Sequence, residues 1–153
     1  RPIEMLICSR AWILFISNLF SVHDCTNGND EDNGMAYLEI YRWEDETYPE
    51  FMKIILDKEH QVKLLLKLSR HFKTSMPMVG QSHGRGLNYQ PIFKQINTHV
   101  DSKMGHIIHE FAHHFNWEKY HQSGHRKGFK KRLIRVYKWS VRYLHKEENN
   151  DKV

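Results

Sequence analysis

His109-Glu110-Phe111-Ala112-His113 is the segment whose residue types and spacing most directly imply chemistry. On a helix, residues i and i+4 share a face one turn apart, so His109 and His113 can offer two imidazoles to one ion. Zinc takes such nitrogens at about 2.0–2.1 Å. Glu110 projects beside the ion rather than onto it, where a carboxylate can accept a proton from metal-activated water and pass it to a leaving group. HExxH is a short motif, and the alternative reading is a helix whose histidines are merely polar. Its setting favours metal: a strand-like region precedes it, the helix ends promptly, and further histidines follow.

A catalytic zinc needs three protein ligands and an open position. The candidates for the third are His125 and His121, with Glu118 behind them. The extended HExxHxxGxxH pattern fails, because position 116 is Asn and position 119 is Lys. After Glu118 the next acids are Glu147 and Glu148, at the far end of the chain. Gly124 permits a sharp turn just before His125, which favours that residue. His106 and His114 read as supporting or surface groups.

The elements that must position these residues follow from punctuation and periodicity. Asn27–Gly34 is an acidic, Gly/Asn-rich linker. It divides the chain into an arm, 1–34, a compact domain, 35–146, and a polar tail, 147–153, expected to fray. Tyr37–Trp43 roughly alternates and fits a short strand or a helix entry. Pro49 suits the first turn of a helix, and apolar residues from Phe51 keep a helical rhythm to Phe72. Met76–Val79, Leu87–Gln90 and Ile92–Thr98 are strand candidates separated by Gly and Pro. Asp101 or Ser102 is the expected N-cap of a helix from Lys103 to Phe115. A loop from Trp117 to Gly124 and a last helix from Arg126 to Lys146 complete an α+β chain.

With 153 residues, 40% hydrophobic and 27% charged, the chain fits one globular domain able to bury a core without disulfides. Cys8 and Cys25 read as free thiols, and the absence of CxxC excludes a cysteine zinc ribbon. The apolar run Met5–Phe20 is interrupted by Arg10, Ser17 and Asn18 and falls short of the roughly 20 residues of a membrane helix. Glu4 and the lack of a small-x-small site argue against a signal peptide. No membrane partner is expected; the chain reads as an intracellular monomer.

His109–His113, a loop, and then Ser123-Gly124-His125-Arg126-Lys127-Gly128-Phe129 together resemble the SprT-like (Spartan-like) zincin family. The resemblance covers roughly residues 60–145, and only these two motifs are specific. It implies a zincin-like minimal domain: an N-terminal helix, a small mixed sheet, the HExxH helix and a C-terminal basic helix. It also implies His109, His113 and His125 as zinc ligands, Glu110 as the base, and a zinc-dependent peptidase acting on a protein or peptide. A strand beside the active helix would align substrate, and Ile92–Thr98 is the candidate. Arg126 stands where the family usually has Gly, and no cysteine ribbon follows, which puts the family's DNA targeting in doubt.

The last helix adds a separate signal. The formal net charge is +5 and the sequence pI about 9.2, and from Lys119 to Lys146 no acid interrupts the basic residues. Arg126, Lys127, Lys130, Lys131, Arg135, Lys138 and Arg142 are candidate contacts to DNA or another polyanion. The competing reading is a solvated face, or one paired with the acidic Asn27–Glu46 region. Tyr120, Tyr137 or Tyr143 could polarise a scissile carbonyl or simply pack. The alternative function is a non-enzymatic nucleic-acid-binding module braced by structural zinc; a third is a scaffold whose histidines bind nothing.

Overall fold

The computed structural model describes residues 37–150. Expectations for the arm 1–34, for its apolar run and for Cys8 and Cys25 lie outside those residues. In chain order the elements are helix α1 (Tyr37–Thr47), strand β1 (Ile55–Leu56), helix α2 (Lys58–Phe72) and strands β2 (Met78–Gln81), β3 (Asn88–Gln90), β4 (Gln95–Thr98) and β5 (Ser102–Lys103). Helices α3 (Met104–Tyr120) and α4 (Phe129–Asn150) follow. The class is α+β, as the sequence predicts. None of the described helices is long and apolar enough to cross a membrane.

Several boundaries differ from the sequence expectation, each for a local reason. Residues 37–43 take the helical of the two expected forms, as part of α1, whose buried positions Ile40 and Glu44 are spaced by four rather than two. Pro49 does not open a helix. Residues 49–53 turn back on themselves through Phe51 N–H to Tyr48 O and Lys53 N–H to Glu50 O bonds. The helix starts at Lys58 because the Asp57 carboxylate caps it, accepting the His60 N–H at 2.9 Å.

β4 lies between β2, which it pairs in parallel, and β3, which it pairs antiparallel, with Ile96 opposite both Val79 and Tyr89. The expectation that Ile92–Thr98 is the edge strand is therefore corrected. Residues 91–94 form a turn, closed by Lys94 at φ 48, and Ile96, Asn97 and Thr98 are buried in the centre of the sheet. β2 and β3 are the edges, and β3 packs on α3. β1 and β5 form a separate two-residue pair.

The expected Asp101 or Ser102 cap of α3 is also corrected. Lys103 occupies the N-cap without a side-chain bond, and Ser102 lies in β5. The first N–H groups instead find backbone carbonyls: Met104 donates to Ile54 O at 2.8 Å and Gly105 to Phe51 O at 3.0 Å. α3 is the central element. Its residues Ile107, Ile108, Phe111, Ala112 and Phe115 are buried along with His109, Glu110, His114 and Asn116. A helix covered on most sides in this way needs apolar neighbours all round. α2 contributes Leu64, Leu65, Leu68 and Phe72, and α4 contributes Phe129, Leu133, Val136 and Tyr137. α3 continues to Tyr120, past the expected end at Phe115, and α4 begins at Phe129 rather than Arg126 and runs to Asn150.

Leu68→Ala, which empties a fully buried site on α2, is expected to destabilise the fold by about 2–5 kcal/mol. Asp57→Ala is expected to cost about 1 kcal/mol through the lost cap. Urea unfolding of the two variants against the parent checks both magnitudes and their order.

Candidate metal centre

α3 places His109 and His113 on one face, one turn apart. The return of the chain after α3 decides what meets them. The helix stops at His121, which takes a left-handed φ of 51 and donates its N–H to Trp117 O at 2.9 Å. Asn116, buried on the last turns, donates from Nδ2 to the Gln122 carbonyl at 2.9 Å and draws the loop back over the helix. Gly124 (φ 69) and Gly128 (φ 82) supply left-handed conformations that residues with side chains adopt only at a cost. Between them His125 is carried back to α3, ahead of α4 rather than as its first residue.

His109, His113 and His125 converge through their Nε2 atoms. The separations are 3.1 Å from His109 to His125, and 3.2 Å from His113 to each of the other two. This is the set of ligand atoms among the described residues that could hold one metal ion. Three imidazole nitrogens sharing a tetrahedral ion at about 2.0–2.1 Å stand about 3.3 Å apart, so the triangle fits. The His109 Nδ1 lies 2.7 Å from Glu44 Oε2, and the tautomer that donates there leaves the Nε2 lone pair for the centre.

The electrostatics agree. Burial, with smaller repulsion from neighbouring histidines, lowers His109 to about 3, His113 to about 2 and His125 to about 4. All three rings are thus neutral, with lone pairs available, at physiological pH. His109 is buried, whereas His113 and His125 are partly exposed, so the cluster has a solvent side. Aromatic rings frame it. Phe129 stacks on His113 at 4.4 Å between ring centroids and lies 4.8 Å from His125, and Tyr41 stacks on His109 at 4.7 Å.

Glu44 anchors the site from behind. It is wholly buried, and its second oxygen accepts the Tyr137 hydroxyl at 2.8 Å. Burial pushes its carboxyl up to about 8, opposed by the Tyr137 bond. A carboxylate on the far nitrogen of a ligand histidine orients the ring and raises its basicity. Glu110 is 5% exposed, and burial followed by repulsion from Glu44 pushes it up to about 8. The backbone N–H of Tyr89 on β3 opposes that shift by hydrogen bonding to it.

The other sequence candidates fall elsewhere. His121 is an exposed helix cap. Glu118 accepts the Ser75 N–H at 3.2 Å and pairs with Lys94 at 2.5 Å. His114 is buried and bridges the Tyr89 hydroxyl (3.1 Å) to the Ser75 carbonyl (2.8 Å). Half-buried His106 lies outside the cluster. Tyr137 serves Glu44, Tyr143 stacks on Trp139 and receives Lys67 at 2.7 Å, and Tyr120 lies at the end of α3. The tyrosine ring beside the cluster is Tyr41.

Lys131, Arg135, Lys138 and Arg142 form an exposed line on α4, and Arg126 and Lys127 are exposed just before it. Lys130 instead lies over the Trp43 ring at 5.0 Å. Glu44 had one sequence signal, an acid four residues from both Ile40 and Tyr48 on an otherwise apolar face. Tyr41 had none. No protein-family model, curated protein or solved structure matches this chain.

His125→Ala is expected to abolish stoichiometric zinc binding. His121→Gly should leave binding intact and raise stability by about 1 kcal/mol by relieving the left-handed cap. Glu44→Gln should weaken zinc affinity by about 10- to 100-fold. Competition with a calibrated chelator, beside thermal melting, reads all three variants.

Proposed function

We propose that this chain is a SprT-like zinc metallopeptidase domain that hydrolyses peptide bonds. The observation that supports it most is the convergence of three neutral imidazole nitrogens at 3.1–3.2 Å on the helix that also carries buried Glu110. A zinc ion held by His109, His113 and His125 would supply Lewis-acid polarisation of a carbonyl and a lowered pKa for water.

The chain's own residues account for the rest. Glu110 takes a proton from the attacking water as the C–O bond forms, and delivers it to the amine as the C–N bond breaks. Burial raises the Glu110 carboxyl, and the positive charge of a bound ion would draw it back towards the ionised form that a base needs. β3 is a sheet edge, and its Tyr89 N–H reaches Glu110. An extended peptide adding to that edge therefore lies beside the base. Glu44 and Tyr137 hold His109 in one tautomer, while Phe129 and Tyr41 restrict the rings. The reading is of an intracellular monomer acting on protein or peptide.

The exposed line Lys131, Arg135, Lys138 and Arg142 favours a second reading, a nucleic-acid-binding module in which zinc braces the fold. One experiment separates the two: zinc content, cleavage of an unfolded protein and salt-dependent DNA binding, each for the parent and Glu110→Gln. A peptidase retains about one zinc in both proteins and loses activity by about 10²- to 10⁴-fold in the variant. Equal cleavage by both removes Glu110 as the base. A zinc-loaded parent that cleaves nothing and binds DNA with a steep salt slope favours the module.

A further inference from the structure

Away from the histidine cluster, a cavity of about 420 Å³ opens where the C-terminal ends of α2 and α3 meet the middle of α4. Its apolar floor is Phe72 and Phe115, its rim is Lys73, Lys119, Arg135 and His71, and Tyr120 stands at its side, 43% exposed. No carboxylate lines it.

The ordinary explanation for such a rim is that cations neutralise two helix C-termini. Lys119 does so, donating to the Lys73 carbonyl at 2.6 Å. The other two cations are not used in that way. Among the described residues, neither Lys73 Nζ nor the Arg135 guanidinium makes a hydrogen bond or ion pair. Arg135 only overlies the Phe115 ring, at 5.4 Å. Each helix end contributes about half a negative charge, so three full positive charges leave a clear surplus. The field is felt locally: after burial, Arg142 and Arg135 are what lower His71. Arg132 lies over the Tyr120 ring at 3.8 Å and holds that ring beside the rim.

A positively charged hollow beside a part-exposed tyrosine ring, one face of which Arg132 covers, has the chemistry of a nucleotide site: phosphate on the cations, a flat base on the remaining face. The volume lies in the range of single small-molecule sites. We propose that this groove binds one nucleotide unit, with its phosphate on Lys73, Lys119 and Arg135 and its base against Tyr120. Arg135 also belongs to the basic line of α4, so a strand could continue from the groove along that helix. The ligand is thus either a free nucleotide or one unit of a single strand. The proposal does not depend on the peptidase reading, because none of these residues touches the histidine cluster.

The test is binding of thymidine monophosphate, a 12-residue oligothymidylate and inorganic phosphate to the zinc-loaded full chain at low salt, by calorimetry and anisotropy. Tyr120→Ala and Lys73→Ala are each expected to weaken both nucleotide probes by about fivefold to a hundredfold. The double variant K131A/K138A, which alters the helix line but not the groove, should leave thymidine monophosphate unaffected. Oligothymidylate binding much more tightly than the monomer, with the same variant sensitivity, assigns the groove to a strand; equal affinity assigns it to the free nucleotide. The proposal is overturned if thymidine monophosphate does not bind, if it binds no better than phosphate, or if both groove variants bind it like the parent while melting normally.

Discussion

The hydrogen-bonded chain from Tyr137 through Glu44 to His109 is the interaction on which the rest of the site depends. It joins α4, α1 and α3 through atoms that are almost completely removed from water. An isolated buried carboxyl is costly, and its removal from water is offset only when its lone pairs are satisfied. Here one oxygen receives a phenol and the other an imidazole. With the His109 proton on Nδ1, that arrangement leaves its Nε2 lone pair facing His113 and His125. The packing around it is equally specific. Tyr48 stacks on Tyr137 at 4.1 Å and Phe51 meets both edge-on, so the phenol that holds Glu44 is itself held.

α3 therefore does several jobs along one surface. His109 and His113 face the returning loop, Glu110 meets the backbone of β3, His114 ties Tyr89 to Ser75, and Asn116 holds the loop that carries His125. The helix tolerates so many buried polar groups because each of these has a partner, apart from Asn116 Oδ1, which has none within the protein. Positive charge is segregated away from this surface, onto the outer face of α4 and the groove at the helix ends. The neutral, desolvated cluster and the solvated cationic surface thus share one fold without sharing residues.

What the sequence alone determined is what is local. HExxH specifies which two imidazoles share a helical face, because a spacing of four residues does so on any helix. The glycine before His125 marked where the chain could turn, and its left-handed φ bears that out. The unbroken run of basic residues marked the exposed line on α4. Periodicity marked α2, α3 and α4, and the class came out as α+β, whereas 49–56, expected to begin a helix, is a turn and a short strand. Boundaries failed where backbone replaced side chain: α3 is capped by the carbonyls of Ile54 and Phe51, which leave no signature in residue type.

Tertiary structure decided everything that depends on distant segments meeting. The choice of His125 over His121 rests on loop geometry set by Asn116, Gly124 and the αL cap. Glu44 lies 65 residues from His109, and nothing near the motif names it. β4 became the central strand because both neighbours pair with it, a matter of sheet order rather than hydrophobicity. The groove at the helix ends exists only because α2 and α3 stop side by side against α4. Local spacing is fixed by backbone geometry and can be read along the chain, whereas partners are fixed by packing and appear only once the chain has closed on itself.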